Sequence, residues 1–190
     1  MRRLSLFIVL CFVGLATLQA QHVEFKWHGL YGIAEYAHLS NVNRSDFDVS
    51  LNSFTAVVGW QIRKESAVGF GFGYLSDPSG AFSQMPLFIE FRSHFLRSRL
   101  TPFTAVQVGY SFPTNSSSSG SDAVTIEKGG INFALMGGVR FAVARSLALS
   151  AHVGYQLLHM NEVVRNAENM PTDRSSQLLH NIRFGFGVHF

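Results

Sequence analysis

The last ten residues of the chain alternate between two kinds of side chain. One set is bulky and apolar, and it comprises Ile182, Phe184, Phe186, Val188 and Phe190. The other set is small or polar, and it comprises Asn181, Arg183, Gly185, Gly187 and His189. Because successive side chains of a β-strand point to opposite faces, this pattern predicts a strand with one apolar face and one small or polar face.

Similar alternation recurs along the chain, in segments near the roughly 9–11 residues with which a tilted strand crosses a bilayer. The eight segments span residues 25–38, 53–63, 66–75, 85–93, 100–112, 130–143, 147–158 and 180–190. The connections at 39–52, 76–84, 113–129 and 159–179 are longer than those at 63–66, 94–99 and 144–146. Barrels of the bacterial outer membrane have short periplasmic turns and longer external loops. The alternation of long and short connections therefore predicts an all-β fold, an eight-stranded antiparallel up-and-down transmembrane β-barrel with both termini in the periplasm.

The first twenty residues have the features of a secretory signal. Arg2 and Arg3 precede an apolar run over 4–18, and Ala20 ends an acceptable cleavage site. We therefore expect a signal peptide at 1–20 and a mature barrel domain at 21–190; an uncleaved anchor is the alternative. Cys11 is the only cysteine, so the mature chain would have no disulfide, thiolate zinc site or cysteine nucleophile. Loss of two of the fifteen basic residues leaves thirteen against twelve acidic ones, which gives no reason to expect nucleic acid as a partner.

Glycines indicate which face of each strand points into the barrel. In the third segment Gly69, Gly71 and Gly73 share one face, opposite Phe70 and Phe72. An eight-stranded barrel is just wide enough for side chains to fill it, so glycine relieves crowding inside, whereas on a solvated outer face it would only weaken the strand. The bulky face is therefore predicted to face lipid. A soluble, lipocalin-like barrel with this face turned inward is the alternative.

Aromatic residues at the strand ends agree with a lipid-facing exterior. They are Trp60, Phe141 and Phe190 at the periplasmic level and Tyr74, Tyr110 and Tyr155 at the external level. The parity of the first strand is ambiguous, because Phe25 and Trp27 favour one register and Tyr36 favours the other. A bulge near Gly29 would reconcile the two registers and leave Glu35 inward.

Most charges within the strands fall on the predicted inner face. They form an expected structural cluster in a closed polar lumen, comprising Glu35, Glu90, Arg92, Arg140 and Arg183. A charge inside a narrow barrel is costly unless it is paired, so Glu90 and Glu35 should pair with arginines of other strands. A gated solute path is the functional alternative, although a porin-like channel takes 16–18 strands.

The connections differ in charge. The short turns carry five basic residues against Glu65, and the long loops carry four basic against eight acidic residues. An acidic outer rim could bind divalent cations shared with lipopolysaccharide or basic partners, but ordinary loop polarity explains it equally simply.

Catalytic, cofactor and metal sites are not indicated. Ser150 and His152 share a strand face, which is the arrangement that a nucleophile and its base need, but no acid is placed beside them and both are predicted to face the lumen. The eight histidines are scattered without a metal-ligand spacing.

On its signal, strand count, loop alternation and terminal Phe190, the mature chain resembles the small eight-stranded outer-membrane β-barrels, the OmpA/OmpX-like superfamily and related porin-family domains. The resemblance implies a place in the bacterial outer membrane, among lipid and lipopolysaccharide, with Phe190 as the signal read by the barrel assembly machinery. It also implies a structural or surface-interaction role through the external loops, with an extracellular ligand or surface partner. A membrane-embedded lipid-modifying enzyme resembling the lipid A hydrolases is the second hypothesis, and a narrow or gated pore is the third.

Overall fold

The computed structural model describes residues 29–42, 50–63, 65–78, 82–96, 98–116, 123–165 and 171–190. The nine strands of these ranges are β1 (Gly29–Asn41), β2 (Ser50–Gln61), β3 (Ser66–Ser76), β4 (Phe82–His94), β5 (Leu100–Ser116), β6 (Ala123–Lys128), β7 (Gly130–Ala144), β8 (Leu147–Arg165) and β9 (Pro171–His189). Within the same ranges, no helix is long and apolar enough to cross a membrane. The expected signal and its cleavage site lie outside the described residues.

Antiparallel pairing closes the sheet into a barrel. Strands β1 to β5 pair in sequence order, so that β1 pairs with β2, β2 with β3, β3 with β4 and β4 with β5. The ring then continues from β5 to β7, β8 and β9, and β9 pairs with β1. The seam between β9 and β1 extends to the last residue, because Gly32 and Phe190 exchange two backbone hydrogen bonds of 2.8 and 2.9 Å. The described structure thus confirms the predicted eight-stranded architecture, with β6 as an additional short strand.

The two ends of the barrel differ. The connections β2–β3, β4–β5 and β7–β8 lie at one end, with the start of β1 and the end of β9, and we call it the turn end. The longer connections lie at the opposite end, which we call the loop end. β6 continues the line of β7 past Gly129 and pairs with the outer part of β8, from Ala123 opposite Arg165 to Lys128 opposite Asn161.

Strand pairing at the loop end extends further than the alternation predicted. Residues 159–179 were expected to form the longest loop, yet β8 continues to Arg165 and β9 begins at Pro171. Residues 113–129 were also expected to be a connection, and they contain the end of β5 and all of β6. The sequences of these segments have no sustained alternation of apolar and polar residues, so the pattern did not predict strands there. Their pairing with neighbouring strands makes them β-structure.

The first strand has the parity that places Glu35 inside. Glu35 is buried, whereas Leu30 and Tyr36 are exposed. Gly29 has a φ of 103°, a conformation that glycine adopts readily and other residues rarely do. It starts β1 at the position where a bulge was expected. Phe25 and Trp27 lie outside the described residues.

The outer surface is almost continuously apolar. Phe70, Phe72, Leu135, Phe184 and Phe186 are among the exposed side chains, and each is about half exposed or more. Their strand neighbours of opposite parity point into the barrel and are buried. A water-soluble barrel would have the reverse arrangement, so the soluble, lipocalin-like alternative is wrong for this fold.

The lumen is filled by layers of side chains. The layer nearest the loop end is apolar, and it comprises Ala37, Leu39, Leu51, Leu75, Leu158 and Leu179. Polar and charged residues fill the middle, and a second apolar group, which includes Ile33, Val57 and Phe88, packs alongside them. The predicted polar lumen is therefore capped by a leucine-rich layer at its loop end.

Candidate functional site

A buried cluster of charges spans the middle of the lumen. Nη2 of Arg92 donates to Oε1 of Glu35 across 2.7 Å, and Nε of Arg92 donates to Oε1 of Glu90 across 2.8 Å. Glu35 lies on β1 and the other two residues on β4, and all three side chains are almost inaccessible to solvent. One guanidinium therefore bridges two carboxylates and ties β1 to β4 across the lumen.

A second arginine extends this network to the remaining wall. Nη2 of Arg183 lies 3.5 Å from Oε2 of Glu35, and its Nη1 donates to the side-chain oxygens of Gln107 and Gln156 at 3.2 and 3.4 Å. Gln107 donates in turn to Glu90 at 2.7 Å. Gln156 donates to Asn132 at 3.0 Å, so the hydrogen bonds connect β1, β4, β5, β7, β8 and β9.

All five residues of the expected lumen cluster are buried on the inner surface. Glu35, Glu90, Arg92 and Arg183 are joined by direct hydrogen bonds or through Gln107. Arg140 lies on β7, where the strand pairing sets it between Thr101 and Ser150. The inner surface thus brings together four of the predicted residues and places the fifth nearer the turn end.

Small residues on neighbouring strands make room for these charges. Glu35 lies opposite Gly187 in the β1–β9 pairing, Glu90 lies opposite Gly69, and Arg183 lies opposite Gly154. A Cβ on Gly187 would lie 3.0 Å from Cγ of Glu35. Each of these long charged side chains therefore lies beside a glycine, and the space that the glycine leaves lets the cluster fit inside a barrel of eight strands.

An aromatic ring also supports Arg92. Its Cζ lies 4.6 Å from the centre of the Phe103 ring, within the range of a cation–π interaction. Phe103 was not among the predicted site residues. The sequence places it on the inner face of β5, but only the register with β4 shows that it lies beside Arg92.

The serine inside the barrel bonds a different histidine from the one that its spacing along the strand suggested. Ser150 accepts or donates a 2.9 Å hydrogen bond with Nε2 of His189, and Nη1 of Arg92 lies 3.5 Å from the same nitrogen. Neither ring nitrogen of His152 has a hydrogen-bond partner among the described residues. The pairing of Ala148 with His189 brings Ser150 and His189 together, which spacing along one strand could not show.

This serine–histidine pair lacks the arrangement of a hydrolytic site. A catalytic histidine needs an acceptor, usually a carboxylate, to orient its second nitrogen, and the nucleophile must reach its substrate. Here a guanidinium is the nearby charged group, and both Ser150 and His189 are buried in the lumen. Within the described ranges, no three His, Cys, Asp or Glu side chains are grouped so that they could hold a metal ion.

Aromatic and polar groups mark both borders of the apolar exterior. At the loop end, the Tyr36 hydroxyl donates to Oδ1 of Asn52 at 3.0 Å, and the Tyr110 hydroxyl donates to the Gly129 carbonyl at 2.8 Å. At the turn end, Trp60 is exposed and Arg99 stacks on Phe141 with 4.7 Å from Cζ to the ring centre. Such rings, with an apolar body and a polar edge, suit the boundary between hydrocarbon and headgroups.

Solved structures with the same architecture are outer-membrane proteins. The crystal structure of Neisserial surface protein A matches with a TM-score of 0.60 at 14% sequence identity, covering 86% of this chain and 96% of that chain. That of the outer membrane protein OprG from Pseudomonas aeruginosa gives 0.59 at 10% identity, covering 88% and 99%. The solid-state NMR structure of the outer membrane protein AlkL in lipid bilayers gives 0.51 at 14% identity, covering 90% and 93%.

No protein-family model and no curated protein sequence matches the chain. The likeness therefore concerns the backbone and not a conserved set of site residues. Together with the closed pairing and the apolar exterior, it shows that the chain has the fold of the small eight-stranded outer-membrane β-barrels.

Proposed function

We propose that the protein is an integral protein of the bacterial outer membrane that acts through its loop end, as a surface-interaction or envelope-structure protein without catalysis. Residues 1–20 would be the signal peptide and 21–190 the mature barrel domain. The turn end would face the periplasm, as the short connections and both termini indicate. The apolar exterior supports contact with lipid, and an exterior of this kind has no other stable surrounding.

The length of β8 and β9 is the observation that carries this proposal. Each has 19 residues, whereas β3 has 11, which is enough for a tilted strand to cross a bilayer. The eight additional residues correspond to roughly 25 Å of strand. β6 pairs with the outer part of β8, so three strands form a sheet that projects beyond the lipid-facing wall. A paired sheet offers a partner a more ordered surface than a loop does.

The interior of the barrel supports a structural role. Glu35, Glu90, Arg92 and Arg183 belong to one hydrogen-bonded network that connects six strands, and the leucine-rich layer fills the loop end. Side chains packed in this way stabilise a wall and leave the loops to meet external molecules. An extracellular ligand or surface partner and the barrel assembly machinery are thus the proposed partners besides lipid and lipopolysaccharide.

Cysteine labelling on intact cells tests the location and orientation. Pro78→Cys lies just past the end of β3 at the loop end, and Ser146→Cys lies in the β7–β8 turn. A membrane-impermeant maleimide should label the first variant on intact cells and the second only after the outer membrane is permeabilised. The unsubstituted chain measures any background from Cys11. Labelling of Ser146→Cys alone on intact cells, or recovery of the protein in the soluble periplasm, would contradict the proposal.

Shortening the projecting sheet tests its role. A variant that lacks residues 162–174 retains the pairing of β8 with β9 below that level and should insert normally. We expect cells carrying it to lose adherence or partner binding while the protein still shifts on gels after heating. If the shortened barrel inserts correctly and binding is unchanged, the surface role belongs to another part of the protein and not to the projecting sheet.

A membrane-embedded lipid-modifying enzyme is the second candidate, favoured by the Ser150–His189 hydrogen bond. Ser150→Ala removes the only hydroxyl that this histidine contacts in the described structure. We expect mass spectra of lipid A from cells with this variant to equal those from cells with the unsubstituted protein. A lipid A species that appears only with Ser150 present would establish the enzyme.

A further inference from the structure

A basic and apolar patch covers one side of the turn end. It consists of the residues that flank the β4–β5 and β7–β8 turns on the outer surface, namely Phe95, Leu96, Arg99, Leu100, Phe141, Val143, Arg145 and Leu147, and we call it the turn-end patch. Phe95 is 60% exposed, Leu96 53% and Leu100 51%, although Phe95 and Leu96 lie past the end of β4. Apolar side chains this exposed, beyond the strand that carries them, extend the lipid-facing surface up to the headgroup level.

The structure holds Arg99 at the border of this surface. Its Nε donates to the Ala142 carbonyl at 2.9 Å, and its own carbonyl accepts from the Ala142 backbone N–H at 2.8 Å. Its guanidinium lies against the ring of Phe141, 4.7 Å from the ring centre. Leu100 pairs with Phe141 in the β5–β7 ladder, so the ring and the guanidinium share the outer face with an exposed leucine.

A second arginine follows in the adjacent turn. Arg145 is exposed in the tight turn that joins β7 to β8, three residues beyond Ala142 along the chain. The sequences of both turns, 94–100 and 143–147, contain no acidic residue. Glu65 belongs to the β2–β3 turn, and its carbonyl accepts from the His94 backbone N–H at 2.7 Å. It therefore borders the β4 side of the β4–β5 turn, whereas Arg99 lies on the β5 side and bonds Ala142 of β7. The two turns that carry Arg99 and Arg145 therefore have basic but no acidic residues in their sequences, and exposed apolar side chains flank both turns.

We propose that the turn-end patch binds one anionic glycerophospholipid of the periplasmic leaflet, with the lipid phosphate against Arg99 and Arg145 and the acyl chains along Leu100, Phe141 and Val143. This proposal rests on the proposed membrane location and orientation. Charge complementarity selects the headgroup, because a guanidinium recognises phosphate through charge-assisted hydrogen bonds. The exposed apolar side chains select a lipid over a free phosphate, since only a lipid covers them.

Lipid retention measured by native mass spectrometry tests the proposal. The full barrel is reconstituted into vesicles of equal parts phosphatidylglycerol and phosphatidylcholine, extracted into mild detergent, and weighed with its retained lipids. We expect one retained phosphatidylglycerol, and we expect Arg99→Gln and Arg145→Gln each to lower the retained fraction by roughly tenfold, the effect of losing one charge-assisted contact.

Arg63→Gln is the matched control. It removes the same charge at the same end, but from the β2–β3 turn beside Glu65, and it should retain the lipid. Arg99→Lys should give an intermediate loss, because lysine keeps the charge and loses the planar stacking on Phe141. Equal losses in Arg63→Gln and Arg99→Gln would overturn the site, as would equal retention of the two lipids or no retained lipid. Failure of the unsubstituted protein to insert into the vesicles at all would instead contradict the proposed membrane location.

Discussion

At the scale of single residues, Arg92 carries the largest share of the lumen chemistry. Its guanidinium contacts Glu35 and Glu90, stacks on Phe103 and approaches His189. Loss of one partner from a buried ion pair leaves an unpaired charge, which is more costly than an apolar replacement of the whole pair. The cluster is therefore expected to respond strongly to the loss of this arginine and less to paired changes.

Replacement of Arg92 by glutamine should lower the free energy of unfolding by about 3–5 kcal/mol, because two buried carboxylates lose their shared cation. The barrel is unfolded with urea in lipid vesicles, and the heat-dependent gel shift measures the fraction that remains folded. Arg63→Gln, an exposed substitution at the turn end, should change the same free energy by less than about 1 kcal/mol.

Addition of Glu90→Gln to Arg92→Gln should recover part of the lost stability, because Glu90 keeps only its hydrogen bond from the neutral Gln107, whereas Glu35 keeps its contact with Arg183. A double variant that is less stable than the single Arg92→Gln variant would show that the hydrogen bond from Gln107 is enough to stabilise the Glu90 carboxylate.

At the scale of strands, glycine positions determine how the inner layers fit. A Cβ on Gly71 would overlap with the ring of Phe88, which is buried against Ile33 and Val57. At Gly185 it would lie 2.5 Å from Nε2 of His152. Gly137 on β7 differs, because a Cβ there meets no atom within 4 Å. Glycines of the inner face are thus required by packing, and this glycine of the outer face is not.

Gly71→Ala should destabilise the barrel by about 1–3 kcal/mol, since the Phe88 ring must leave its position. Gly137→Ala is the matched substitution on the outer face and should change stability by less than about 0.5 kcal/mol. The two variants are compared by urea unfolding in the same vesicles. Equal losses would mean that the cost comes from the strand backbone and not from the Phe88 contact.

The sequence was sufficient to predict the strands that cross the membrane, because a period of two marks every segment with one apolar face. It did not predict the outer parts of β8 and β9, since the sequence of residues 159–179 has no sustained alternation of apolar and polar residues. It also missed the contact of Ser150 with His189, which are 39 residues apart and meet through the β8–β9 register. The sequence likewise did not show that Glu35 lies opposite Gly187, because this pairing depends on the β1–β9 register.

At the scale of the whole molecule, the β9–β1 seam closes the barrel, and Phe190 extends this seam by one residue. Phe190 completes the β9–β1 seam with two backbone hydrogen bonds to Gly32, and its ring lies on the outer surface, 64% exposed. The backbone groups stabilise the folded barrel, whereas the ring is the part that assembly machinery could recognise. A single substitution can separate these roles, because alanine keeps the backbone and removes the ring.

Phe190→Ala should therefore leave the purified barrel able to refold into vesicles, with a change in the free energy of unfolding below about 1 kcal/mol. In cells, most of the variant should fail to reach the outer membrane and be degraded, because the ring of Phe190 is the proposed assembly signal. Phe186→Ala is the matched control: it removes an equal ring from the same face of β9, 70% exposed, and should assemble normally. Quantitative blots of outer-membrane fractions, with and without heating, measure both. If both variants fail in cells alike, lipid contact along β9 and not the terminal ring determines assembly; if Phe190→Ala fails to refold in vitro, the ring serves the seam itself.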